Sequence, residues 1–159
     1  MKIIKDLSVW NKLKKNFRTA ENIEGQLGWF AEDQYGSDND NLHMAQVAQW
    51  QEEGTVGGQG NGSGIPSRPF MRVGLREGFG VGYNNKNFEL IMKDVAAGKS
   101  PLKAWKASAN DFKQSLQNVM TAWFDPANAP STVADKGFND PLIETGQLRD
   151  NVNFKVGSD

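Results

Sequence analysis

Between Leu102 and Trp123, apolar residues recur in alternating steps of three and four: Leu102, Trp105, Ala109, Phe112, Leu116, Val119 and Trp123. Only an α-helix brings such positions onto one face. Ser100 suits the N-cap and Pro101 the first helical position, where a missing N–H is no loss. Asp125-Pro126 closes the run, because the residue before a proline is pushed away from helical geometry. A helix of about 24 residues spans roughly 36 Å. Everything else in a chain of 159 residues has to pack around such an element.

The flanking segments carry weaker periodicities. Ile3, Leu7, Trp10, Leu13 and Phe17 mark one face of an N-terminal helix. Ile23, Gly25, Leu27 and Trp29 alternate at period two, as in a half-buried strand, and Val152, Phe154 and Val156 do the same near the other end. Leu42, Ala45 and Ala48 define a short helix that Gly54 ends. A second short helix over about 85–97 turns Phe88, Ile91, Met92 and Val95 inward, and in the preceding "GLREGFGVGYNN" glycines at 74, 78, 80 and 82 argue against a continuous helix. Thr145 offers an N-cap for a turn or two above a buried Leu148. The expectation is one α+β domain over 1–159, a small antiparallel sheet packed on the long helix, with extended loops and arms. The flexible loop is placed at about 54–64 and an irregular arm at about 126–141.

The composition narrows the chemistry. With no cysteine and one histidine, His43, there is neither a thiolate nor a nucleophile–base set. Gly98-Lys99-Ser100 lacks the earlier glycine of a phosphate-binding loop, since position 93 is Lys. Asp38, Asp40, Glu52 and Glu53 fit no metal-ligand spacing, and "DNDN" reads as a turn. No catalytic residue, cofactor or metal is expected. A formal net charge of −1 provides no overall attraction to nucleic acid or membrane. The first twenty residues are nevertheless basic: Lys2, Lys5, Lys12, Lys14, Lys15 and Arg18 stand against Asp6 alone. This leaves a nucleic-acid-binding module as an alternative to a solvated helix face. No apolar run reaches the length of a membrane span, and a soluble protein made in the cytoplasm is expected.

After the glycine-rich "GTVGGQGNGSG" the chain stiffens abruptly into "IPSRPFMR". Pro66 and Pro69 fix their own φ and hold Ile65 and Arg68 extended. Two roles fit. Phe70 anchors on a neighbouring subunit, with Arg68 and Arg72 seeking its carboxylates; or Phe70 plugs this domain's own core and Arg68 pairs internally. Trp50 lies off the Leu42, Ala45 and Ala48 side and Arg149 is free to reach outward, which makes both interface candidates.

Three segments together resemble a family of tail-completion, or neck, proteins of long-tailed bacteriophages. They are "MAQVAQWQEEGT", "IPSRPFMR" and "APSTVADKGFNDPLIETGQLRDNV", which match the family's A-x-V-A-x-x-x-E-x-G-T, I-P-x-R-P-F and P-L-I-D-T-G-Q-L-R patterns in order. The quoted segments make up a little over a quarter of the chain and are spread from residue 44 to residue 152. Glu53 stands where the family has an aromatic, and Glu144 where Asp is common. The resemblance implies a virion structural protein at the head–tail junction, assembled in the host cytoplasm. Its partners would be copies of itself in a ring, a hexamer or else a dodecamer, together with neighbouring neck, connector and tail proteins. DNA in the channel would be touched without sequence preference. Tail terminators, which cap the tail tube, share similar small α+β folds and are the alternative role.

Overall fold

In the computed structural model, residues 7–57, 64–79 and 86–158 are described. Their order is α1 (Ser8–Glu21), β1 (Ile23–Gly28), a 3-10 turn (Ser37–Asn39), α2 (Met44–Glu53), α3 (Phe70–Phe79), α4 (Lys86–Ala97), α5 (Leu102–Ala122), α6 (Pro130–Lys136), α7 (Gln147–Asp150) and β2 (Asn153–Ser158). The fold is α+β, with a small antiparallel sheet packed on one long helix. β1 and β2 pair from Ile23↔Ser158 through Gly28↔Asn153.

Helix α5 is the axis of the molecule, and α3, α4, α7 and both strands pack on it. It begins one residue later than the sequence suggests. Pro101 takes the flanking position, and Ser100 Oγ accepts the Leu102 amide at a long 3.4 Å. At the other end Trp123 turns extended ahead of Asp125-Pro126. Leu116 and Val119 of the expected seam are buried, but so are Ala104, Ser108 and Met120. The helix is covered on more than one side, so its buried surface is wider than one heptad stripe.

Two clusters make the core. The larger joins Met44 and Ala48 of α2, Phe70 of α3, Leu116 and Met120 of α5, and Leu142, Leu148 and Val152 from the last third of the chain. Trp29 closes it with an edge-on contact to Phe70, ring centres 6.1 Å apart. The smaller cluster, Ile91 and Val95 of α4 with Ala104, holds α4 and the end of α1 against the start of α5.

Several expectations give way. The glycines at 74 and 78 do not break a helix: α3 runs through both. A Cβ on Gly74 would stand 2.9 Å from Leu116 Cα, and one on Gly78 would overlap Phe112 Cδ1. The absent side chains are what let α3 lie so close to α5. The buried stripe of α2 is Met44, Ala48 and Glu52, and Ala45 faces out. In α4, Ile91 and Val95 turn inward but Phe88 and Met92 are exposed. In α1, Leu13 and Ala20 turn toward the body while Leu7, Trp10 and Phe17 are exposed; Ile3 lies outside the described residues. The arm expected to be irregular over 126–141 contains α6, started by Pro130 in its first turn and stopped by Gly137 in the left-handed conformation. Of the glycine-rich loop, residues 58–63 lie outside the described residues. No helix among the described residues is long and apolar enough to cross a membrane.

Candidate functional site

The region that "IPSRPFMR" builds starts from a carboxylate. Glu52, in the last turn of α2, is buried, and it points at the first turn of α3. Its oxygens accept the Met71 amide at 2.7 Å and the Arg72 amide at 3.4 Å, and Arg72 Nε at 2.9 Å. The first amides of a helix have no partner within it, and the helix dipole places positive charge there. Glu52 therefore caps a helix that begins 17 residues beyond its own end at Glu53. Ser67 Oγ donates to the Glu52 carbonyl at 2.8 Å, which fixes the strap from the other side.

Arg68 is the second fixed point. It is 3% exposed and forms no ion pair among the described residues. Its guanidinium donates to the carbonyls of Pro126, at 3.0 Å, and Ala127, at 3.2 Å, and to Gln51 Oε1. Its own amide donates to the Gln51 carbonyl at 2.7 Å. Burial pushes the guanidinium below its ordinary pKa. Three neutral acceptors around one guanidinium suit arginine's rigid fork, which lysine lacks. Phe70 is completely buried in the larger core cluster. Filling it is worth about 1.5–3 kcal/mol of burial. Arg68 and Phe70 are thus interior residues and not surface anchors. Their burial within one chain leaves nothing for a neighbour to grip.

The remaining strap residues clamp the glycine-rich loop at its base. Thr55 N donates to the Ile65 carbonyl at 2.8 Å, and Ile65 N donates to Thr55 Oγ1 at 2.9 Å. Gly54 sits at φ 78°, and a Cβ there would press on Ile65 O and Ser67 N at 2.8 Å. A Cβ on Gly64 would overlap the Thr55 carbonyl oxygen. Ile65 and Pro69 are half-buried and Pro66 is exposed. Arg72 leaves most of its side chain in solvent even while paired to Glu52. Trp50 is half-buried.

The late segment docks beside this joint. Trp29 Nε1 donates to the Leu148 carbonyl at 2.7 Å, and Gln117 Nε2 to the Arg149 carbonyl at 3.0 Å. Leu148 is buried, and Gly146 rather than Thr145 takes the cap position, with φ 83°. Arg149 does not reach away freely: its Nε holds Asp150 Oδ1 at 2.7 Å, which keeps the Asp150 carboxyl below its usual range. Between α2, α6 and residues 141–148 lies an open cleft of about 290 Å³. Lys136 crosses it to the carbonyls of Asp140 and Ile143. Burial lowers the Lys136 pKa against the opposing pull of Glu144 and Asp140, while burial and then Glu144 raise that of Tyr35.

Chemically this is a bracing arrangement: its charged and polar groups are engaged with backbone. Among the described residues no group of three His, Asp or Glu side chains could hold a metal ion. His43 and Gln34 bridge at the foot of α2, and "DNDN" forms the 3-10 turn with left-handed residues at Asp40 and Asn41. Gln51 and Glu52 are the residues that sequence reasoning did not single out for this joint. Their one signal was position, immediately before the Gly54-Thr55 stop that precedes the strap. Comparison with family models, with curated proteins and with solved structures gave no match.

Proposed function

We propose that this chain is a structural subunit of the head–tail junction of a long-tailed phage, working as one member of a ring that joins the tail to the DNA-filled head. One observation carries the reading. The first two segments that bear the resemblance are bonded to each other across the glycine-rich loop, and both pack with the third in one core cluster, through Met44 and Ala48, Phe70, and Leu142, Leu148 and Val152. Glu52 of the first caps the helix of the second, and Arg68 of the second holds Gln51 of the first and the carbonyls that lead into the third. A motif set whose members brace one another is what a shared fold requires, which supports carrying the resemblance from the motifs to the architecture. The same bracing suits a protein whose work is to bear load and not to turn over a substrate.

Electron microscopy of lysates from a phage lacking this gene tests the reading. Filled heads lying beside separate tails are expected. Overlong tails would assign the chain to tail termination instead, and normal infectious particles would overturn the structural role.

A further inference from the structure

Two surface patches on this chain match each other in apolarity and charge, and they do not meet within one molecule. The first is a flank of α1. Trp10, Lys14, Phe17 and Arg18 follow one another at helical spacing. Trp10 is 54% and Phe17 38% exposed, and Lys14 Nζ sits 5.3 Å from the centre of the Trp10 ring. The patch is aromatic with a cationic rim.

The second is a groove of about 360 Å³ between α3 and the end of α5. Val73, Val119, Ala122 and Trp123 contribute to its apolar wall, and Phe124, 80% exposed, stands at its mouth. The ionisable residues lining it are Glu77 and Asp125, both exposed and neither in an ion pair among the described residues. The patch is apolar with an anionic rim.

Helix α1 packs on the body near Ala104, through Ala20, whereas the groove begins at Asn118 of the same helix α5. That interval is about 21 Å of helix at 1.5 Å per residue. The α1 flank lies beside α4 in this structure and lines no part of its own groove. We infer that it seats in the groove of a second copy of this chain, with Trp10 and Phe17 against Trp123 and Phe124, and with Lys14 and Arg18 against Glu77 and Asp125. Such a contact joins two different patches, so it is heterologous and propagates from copy to copy until the rotation closes. The inference rests on the ring reading and supplies the subunit contact that a ring needs. Complementary rims set register and exclude the like-with-like pairings, in which cation would meet cation or carboxylate meet carboxylate.

The natural absence of cysteine makes the contact directly testable. Lys14→Cys and Glu77→Cys proteins, each carrying one thiol at an exposed position, are mixed and treated with a short bis-maleimide cross-linker. A covalent dimer is expected from the mixture and not from either protein alone. A chain carrying both changes should give a ladder of covalent oligomers. The control pairs Glu77→Cys with Lys12→Cys, which lies on the opposite flank of α1. K14E/R18E should remove the cross-link between Phe17→Cys and Ala122→Cys proteins at least tenfold, and E77K/D125K on the other partner should restore it. Equal yields from the mixture and the control would overturn the inference. So would loss of duplex-DNA or anionic-vesicle binding on K14E/R18E without any specific cross-link, which would assign the flank to that partner. Because the assay uses purified protein, its failure leaves the phage-lysate result standing. Detached tails in the lysate with no specific cross-link would mean a junction protein that assembles through another face.

Discussion

The Glu52 carboxylate lies 2.7 Å from the Met71 amide, with the whole glycine-rich loop between them in sequence. The end of α2 is thereby locked to the start of α3. Because the carboxylate is buried, little solvent is at hand to replace it if it is removed. Glu52→Ala should destabilise the fold by about 2–4 kcal/mol, since buried amide donors lose their acceptor and the α3 dipole loses its anion. Glu52→Gln, which keeps one acceptor oxygen, should lose about half as much. Arg72→Met should change stability by less than about 1 kcal/mol, because that partner is mostly solvated. Urea denaturation of the three variants measures this. Equal effects of Glu52→Ala and Arg72→Met would mean that the ion pair, not the helix cap, is what matters.

Arg68 makes the corresponding link from the strap to the start of the late segment. Arg68→Lys retains the charge but cannot reach the Pro126 and Ala127 carbonyls and Gln51 together. A loss of about 2–3 kcal/mol is expected, as buried acceptors are left unmade. Hydrogen exchange should localise the change, with faster exchange in residues 127–137 than in the β1–β2 ladder. Uniform acceleration across the chain would instead make Arg68 a general core residue.

Much of this architecture is legible in the sequence, for identifiable reasons. The α5 periodicity, the two alternating strands and the Gly54 stop are local signals that tertiary packing reinforces. Helix α3 is hidden because glycine reads as a breaker wherever the neighbouring surface is unknown, and only the approach of Leu116 and Phe112 explains Gly74 and Gly78. Helix α6 is short, yet Pro130 and Gly137 stand where helix start and stop signals belong. The apolar faces of α1 and α4 show a different limit. Periodicity identifies an apolar side but says nothing of what covers it, and for Trp10, Phe88 and Met92 this chain covers little. Arg68 shows the same limit at the joint: an arginine between two prolines carries no mark of whether its acceptors are a neighbour's carboxylates or its own carbonyls.

Two exposed ion pairs give the fold an acid-sensitive component. Glu32 accepts from Lys155 Nζ at 2.7 Å, and the hydrogen bond to Lys155 holds its carboxyl below the ordinary range. Asp150 is lowered in the same way by Arg149. A depressed folded-state pKa contributes stability above the unfolded-state value, and that contribution disappears as pH falls through the folded value. Glu32→Gln and Asp150→Asn should therefore melt slightly below the parent at pH 7, with the gap closing toward pH 3. Near-molar salt at pH 7 should narrow it too. Melting curves across pH check the sign, and a gap that widened in acid would contradict it.

The closest test of the packing lies at Gly74 and Gly78. In an open helix, replacing glycine by alanine gains about 1 kcal/mol of propensity. Here the added Cβ of Gly74→Ala would meet Leu116 Cα, which belongs to the backbone of α5 and cannot swing aside. Ser115 Oγ also donates to the Gly74 carbonyl at 3.0 Å, and that bond stretches if the helices separate. Overpacking should outweigh propensity, for a net loss of about 1–3 kcal/mol. Gly78→Ala meets the edge of the Phe112 ring, which can rotate, so its loss should be smaller. The two sites should also respond differently to relief. Phe112→Leu should recover stability in the Gly78→Ala background, whereas Leu116→Ala should not rescue Gly74→Ala, because the obstructing Cα remains. Thermal denaturation of the four proteins decides it. A gain of stability in Gly74→Ala alone would mean that α3 and α5 do not lie at this separation in solution.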